Sequence, residues 1–197
     1  MTNQKHLKLT ELENYIKSYF GITNQNLDKI TSLFNESELK KGEYYTKSGQ
    51  YCEKLSFVKS GYIRLFAKAN DKEVTQWIAA KGHFLTELYS FNFKQRARWN
   101  IQALTDCELY IINKENYVLL NNIVPNWAEI EKQFMASCFI QLEDRIFSHL
   151  SLNAEERYHQ FFENNKELFN QVPLQYLASM LGMSPETFSR IRNKKNS

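Results

Sequence analysis

The twenty residues PLQYLASMLGMSPETFSRIR, Pro173 to Arg192, constrain this chain more tightly than any other stretch. Leu174, Leu177, Ala178 and Leu181 recur at helical spacing, Gly182 breaks the pattern, and Ser184, Pro185 and Glu186 open a second helix with Phe188 and Ile191 on one face. Gly182 suits the left-handed conformation that ends a helix, where a residue with a Cβ would lose roughly 1–2 kcal/mol. Ser184 is a good N-cap, Pro185 fits the first helical position, and Glu186 favours the positive end of the helix dipole. Ala178 is small where two steeply crossing helices bring their backbones together.

Leu177, Leu181, Met183, Phe188 and Ile191 can then close one small core, leaving Glu186, Ser189, Arg190 and Asn193 outward. The pattern is a helix-turn-helix, whose second helix enters the DNA major groove. An ordinary helical hairpin with a solvated face is the plainer alternative. Against it stand the register of the small, glycine and apolar positions and an outward face of short hydrogen-bonding side chains.

Charge agrees with this placement. The chain carries a net +3, and from Leu174 onward Arg190, Arg192, Lys194 and Lys195 face only Glu186, so the remainder balances at 21 basic and 21 acidic residues. A local basic patch of this kind suits phosphate contact. A hydrophobic content of 43% predicts a folded protein. No run approaches the roughly 18 apolar residues of a membrane span, and the first residues lack a signal-peptide core, so a cytoplasmic protein is expected. Cys52, Cys107 and Cys138 are far apart in sequence, which argues against a disulfide framework, an iron–sulfur cluster or a zinc site. The four histidines are scattered, and neither a metal site nor catalytic residues are predicted.

Upstream, TELENYIKSYF predicts an amphipathic helix opened by a Thr10/Glu13 capping box, and Leu27 to Phe34 a weaker one. Six short β-rich runs follow: Glu43–Thr46, Leu55–Val58, Tyr62–Phe66, Val74–Ile78, Asn100–Leu104 and Glu108–Ile112. Glycine and Asn-Asp turns punctuate them, as in an antiparallel sandwich or roll. Asn113 to Leu120 reads as a short helix. After Pro125 a long helix runs to about Leu150, with Ile130, Phe134, Cys138, Leu142, Ile146 and Leu150 four apart and Trp127, Met135 and Phe139 beside them. One of these faces could pack on the roll and the other on a second copy of the chain; Ile130, Phe134, Cys138 and Leu142 are the expected dimer contacts. Asn153 and Glu156 cap a further helix.

Taken in this order, the chain resembles the Crp/Fnr superfamily of transcription regulators. LKKGEYYTKSGQYCEKLSFVKSGYIRLF is similar to the family's opening strands, and SPETFSRIR to its recognition helix. The resemblance implies an α+β fold: an N-terminal antiparallel β-roll like a cyclic-nucleotide-binding domain over residues 1–122, a dimerisation helix over 123–150, and a helix-turn-helix over 151–197. With only Lys166 to Val172 as a link, the wing is expected to be minimal. The implied partners are a double-stranded DNA operator, a second copy of the chain and RNA polymerase, with no membrane. DNA contacts are expected from Ser184, Pro185, Glu186, Thr187, Ser189, Arg190, Arg192, Asn193 and Lys194, with Lys195 beyond them. Glu186 and Arg190 would read base edges, since arginine can donate twice to guanine and a carboxylate can accept from cytosine.

The ligand pattern departs from the family. Glu87 stands where relatives place the glutamate that holds a ribose hydroxyl, its plainer reading being a solvated or helix-capping carboxylate, but Ala97 and Arg98 fall where an arginine–serine pair should hold the cyclic phosphate. Arg96 and Arg98 flank the needed position, one residue out of register. The candidate effector pocket is therefore Glu87, Arg96 and Arg98, no cofactor is predicted, and a roll that does not bind cyclic nucleotide in the usual way is favoured over a cyclic-nucleotide-responsive one. A cupin-like enzyme, the main rival, would need clustered histidines, and His83 stands alone in the roll.

Overall fold

A computed structural model describes residues 2–22 and 26–194, the first nine of them by backbone alone. Helix α1 (Thr2–Phe20) runs straight through Thr10, which is therefore interior and not a cap. Helix α2 (Leu27–Thr31) stops before Phe34, giving way to turns.

Eight strands follow: β1 (Asn35–Leu39), β2 (Tyr44–Thr46), β3 (Lys54–Ser60), β4 (Ile63–Ala69), β5 (Lys72–Ala79), β6 (Phe84–Leu85), β7 (Asn100–Ala103) and β8 (Cys107–Asn113). They form two antiparallel four-stranded sheets, ordered β1-β8-β3-β6 and β2-β7-β4-β5. Val58, Ile63, Ala79, Leu85, Ile101 and Leu109 fill the space between. Gly61 at the β3–β4 turn has φ +88°, and a Cβ there would sit 2.4 Å from the Asp106 carbonyl oxygen, so no other residue fits without moving that backbone.

Two of these strands carry no periodic signal. Strand β1, NESEL, is exposed at four of its five positions and is held by backbone pairing to β8. Strand β6 is two residues long. The other six lie where alternation predicts them.

Helix α3 (Leu88–Phe93) interrupts the roll, and α4 (Lys114–Ile123) leaves it, its first turn capped by the Asn113 side chain. Helix α5 (Trp127–Ser151) then spans 25 residues. Its first half packs on α1, α4 and the roll in one apolar cluster that includes Phe20, Phe57, Trp127 and Phe134, with Ile130, Met135 and Cys138 at its edge. Phe134 is 2% exposed, with ring centroids 4.8 Å from Phe20 and 5.0 Å from Phe84.

Three expected dimer contacts, Ile130, Phe134 and Cys138, thus pack against their own chain; of the four, only Leu142 is exposed. The physical reason is that α1 and the roll supply aromatic surface to the first half of the seam. Beyond Cys138 the apolar side chains lie open, among them Phe139 (61%), Phe147 (70%) and Leu150 (81%).

The C-terminal part holds α6 (Ala154–Asn164), α7 (Leu168–Gln171), α8 (Leu174–Met180) and α9 (Pro185–Lys194). Among the described residues no strand follows Asn113, and α7 occupies the link where a wing would start. Tyr158, Phe169, Leu177, Ala178, Leu181, Phe188 and Ile191 close a core that also includes Tyr62, Ile78 and Leu104 of the roll. Among the described residues no helix is long and apolar enough to cross a membrane.

Candidate nucleic-acid interface

Helix α9 is built as its sequence predicts. Gly182 has φ +66° in the turn between α8 and α9, and the Thr187 N–H donates to Ser184 Oγ at 3.2 Å, so the serine caps the helix. Phe188 and Ile191 are buried, while Ser184, Pro185, Glu186, Ser189, Arg190, Asn193 and Lys194 are exposed. The Ser184 hydroxyl beside it, and then its own backbone N–H, hold the Glu186 carboxyl below the usual carboxylate range.

Three of the expected contacts are less free than the sequence suggests. Thr187 is half-buried, and its Oγ1 lies 3.3 Å from Ser184 Oγ. Arg192 is half-buried, and its charge opposes the upward push that burial gives the Tyr158 hydroxyl. Lys194 Nζ lies 3.4 Å from Glu155 Oε2, an exposed pair that a phosphate could replace at little cost. Lys195 lies outside the described residues.

What aims this face is a set of side chains whose roles the sequence does not reveal. Arg157 donates from Nε to the Leu181 carbonyl at 3.0 Å and from Nη1 to the Leu152 carbonyl at 2.6 Å, joining α6 to the turn after α8. Arg145 on α5 donates to the Met180 carbonyl at 3.1 Å. These orphan carbonyls at the end of α8 are satisfied by guanidinium donors, a charge-assisted form of C-capping. In sequence both arginines look like ordinary solvated charges.

The effector candidates part company. Glu87 is 2% exposed and caps α3: its Oε2 accepts from the Ser90 N–H at 2.7 Å and its Oε1 from the Arg98 N–H at 3.4 Å. Ala97 is buried at 3% and held by backbone bonds to Gln50 and Gly49, whereas both neighbours point away. Arg96 donates to the Gly49 carbonyl and lies 5.4 Å from the centre of the Tyr51 ring; Arg98 lies 4.7 Å from that of Tyr89, with Nε 3.9 Å from Glu87. The inward position thus belongs to a methyl group and both guanidiniums stay on the surface. A groove of about 580 Å³ opens elsewhere, between the roll and the α6–α7 link, lined by Ser60, Tyr62, His83, Glu163 and Lys166 among others.

Comparison with known proteins agrees with this layout. Residues 36–119 match the cyclic nucleotide-binding domain family. No curated protein matches the chain in sequence. Among solved structures it is similar to the c-di-GMP-responsive global regulator CLP of Xanthomonas campestris, at 18% identity over 87% of this chain and 90% of that one, with a TM-score of 0.64. FixK2 of Bradyrhizobium japonicum gives 16% identity, coverage of 82% and 83%, and a TM-score of 0.66. A regulator assigned to the Crp/Fnr family in Eubacterium rectale gives 19%, coverage of 92% and 87%, and 0.66.

Proposed function

We infer that the chain works as its fold suggests, with a cyclic-nucleotide-binding-like roll followed by a helical C-terminal region, the layout of the Crp/Fnr-type regulators it is similar to. On that fold we propose a sequence-specific DNA-binding transcriptional regulator that acts as a homodimer on a pseudo-palindromic operator. One observation carries the reading: the polar face of α9 is exposed over a closed apolar core, with Glu186 and Arg190 both outward.

Arg190 is suited to donate twice to guanine O6 and N7 and Glu186 to accept from cytosine N4, while Ser189, Arg192, Asn193 and Lys194 suit phosphate, which positions the helix without specifying sequence. The second copy covers the open half of α5, where Phe139, Leu142, Ile146 and Leu150 form one stripe with Ile140 and Phe147 beside it. Two-fold pairing there sets two α9 helices against successive major grooves about 34 Å apart. RNA polymerase is then the machinery that the bound dimer recruits or blocks. The roll takes no cyclic nucleotide in the usual way, because its carboxylate caps a helix and an alanine fills the phosphate position.

Selection of bound DNA from a random pool tests the reading. A motif with two-fold symmetry is the expected result, and a pool that stays random through selection would end it.

A further inference from the structure

Among the described residues, one of the largest side chains shut off from solvent is a charged one. Arg64 on β4 is 2% exposed, a depth at which a guanidinium is costly unless its surfaces are all engaged. Nη1 donates to Glu73 Oε2 at 2.7 Å and Nε donates to Thr75 Oγ1 at 2.9 Å. The guanidinium stacks between two rings, 4.1 Å from the centroid of Phe66 and 3.9 Å from that of Tyr176. Phe66, Glu73 and Thr75 belong to the roll. Tyr176 belongs to α8, the first helix of the helix-turn-helix.

A second polar contact lies beside it. Strand β5 is the edge of its sheet, and its pairing with β4 slips there: Leu65 faces Trp77 and Phe66 faces Thr75, leaving Gln76 as an extra residue. The Thr75 N–H donates to Ser179 Oγ of α8 at 2.9 Å. Around both contacts Tyr62, Ile78 and Leu104 of the roll meet Leu168, Phe169 and Met180. Apolar contacts tolerate sliding, whereas a stacked guanidinium with two directed bonds defines one register.

From this geometry we propose that Arg64 is a positioning residue for DNA binding. Through Tyr176, and with the Thr75–Ser179 bond beside it, the roll holds α8 in one register and so sets where α9 points relative to α5. The latch orients without masking, since Ser184, Glu186, Ser189 and Arg190 remain exposed with α8 docked. The inference rests on the DNA-binding dimer proposed above but concerns the distance between two recognition helices, not the bases each one reads. Fixing that distance in advance removes an ordering cost at binding, as any stiff link between two binding modules does.

The experiment measures affinity of the full chain for the selected operator and for versions with one or two base pairs added to or removed from the spacer. Wild type should lose tenfold or more on each respaced site, about 1.4 kcal/mol per decade. Arg64→Met should bind the best operator about tenfold more weakly and should flatten the spacing profile to within about threefold. A wild-type profile in Arg64→Met would overturn the latch, whatever its overall affinity. Failure of wild type to bind any sequence would instead overturn the regulatory reading.

A readout without DNA is amide exchange at Thr75, which should speed up in Arg64→Met and in Ser179→Ala while Ile63–Ala79 pairing stays protected. Unchanged Thr75 protection in Arg64→Met would also sink the proposal. Should Arg64→Met fail to fold, Tyr176→Ala removes the same stacking from the half-buried helix side and is judged by the same two readouts.

Discussion

The two halves of α5 share one apolar spacing and meet opposite environments. From Trp127 to Cys138 the stripe is roofed by α1, α4 and the roll; from Phe139 to Leu150 the same kind of side chain is exposed. Periodicity tells which face of a helix is apolar, and it is silent on what covers that face. The difference lies in elements remote in sequence, chiefly the aromatic side chains of α1 and β3.

The comparison can be broken most decisively at Phe134. Replacing it with alanine should destabilise the fold by about 3–5 kcal/mol in denaturant titration, with no specific effect on association. Next in size, Phe147→Glu with Leu150→Glu should leave the unfolding midpoint of the monomer nearly unchanged but weaken self-association by about a hundredfold or more in sedimentation equilibrium, roughly 2.8 kcal/mol. An intact dimer in that double variant would place the seam elsewhere.

Helix α9 repeats the division at a smaller scale, with Phe188 and Ile191 inward and Arg190 and Lys194 outward. Arg190→Ala should cost about 1–3 kcal/mol of discrimination at one base pair, read by competition among operator variants, with little change in stability. Smallest of all, Lys194→Ala should weaken every sequence alike and reduce the salt slope by about one, or by less because Glu155 already neutralises part of that charge. Equal loss on all sequences from both changes would erase the distinction between reading and positioning.

Which parts of this were legible follows from how far away their causes lie. The α8–turn–α9 pair is written in twenty residues because its turn, its N-cap and its inward faces are local, with Gly182, Ser184, Phe188 and Ile191 within ten residues of one another, even though the roll and α6 complete the core beneath it. Six strands show in their alternation. Strand β1 does not, because only its backbone is satisfied by β8, and the polar sequence NESEL has no buried face to announce it. The effector segment is intermediate. The one-residue displacement in sequence matches a buried Ala97 between exposed Arg96 and Arg98, and of the two plain readings of Glu87, a solvated or a helix-capping carboxylate, the backbone turn at α3 selects the cap. Arg145 and Arg157 are invisible because they meet carbonyls at the end of α8, and Arg64 because the Tyr176 ring that it meets also lies on that remote helix.

Glu87 sets a cost on any other use of its carboxylate. It closes the first turn of α3, so turning it toward a sugar hydroxyl would strip that helix of its cap, at about 1 kcal/mol. A guanidinium placed inward nearby would have to displace the buried methyl of Ala97. Each of these two positions is thus already occupied by something the fold uses, a cap in one case and packing in the other.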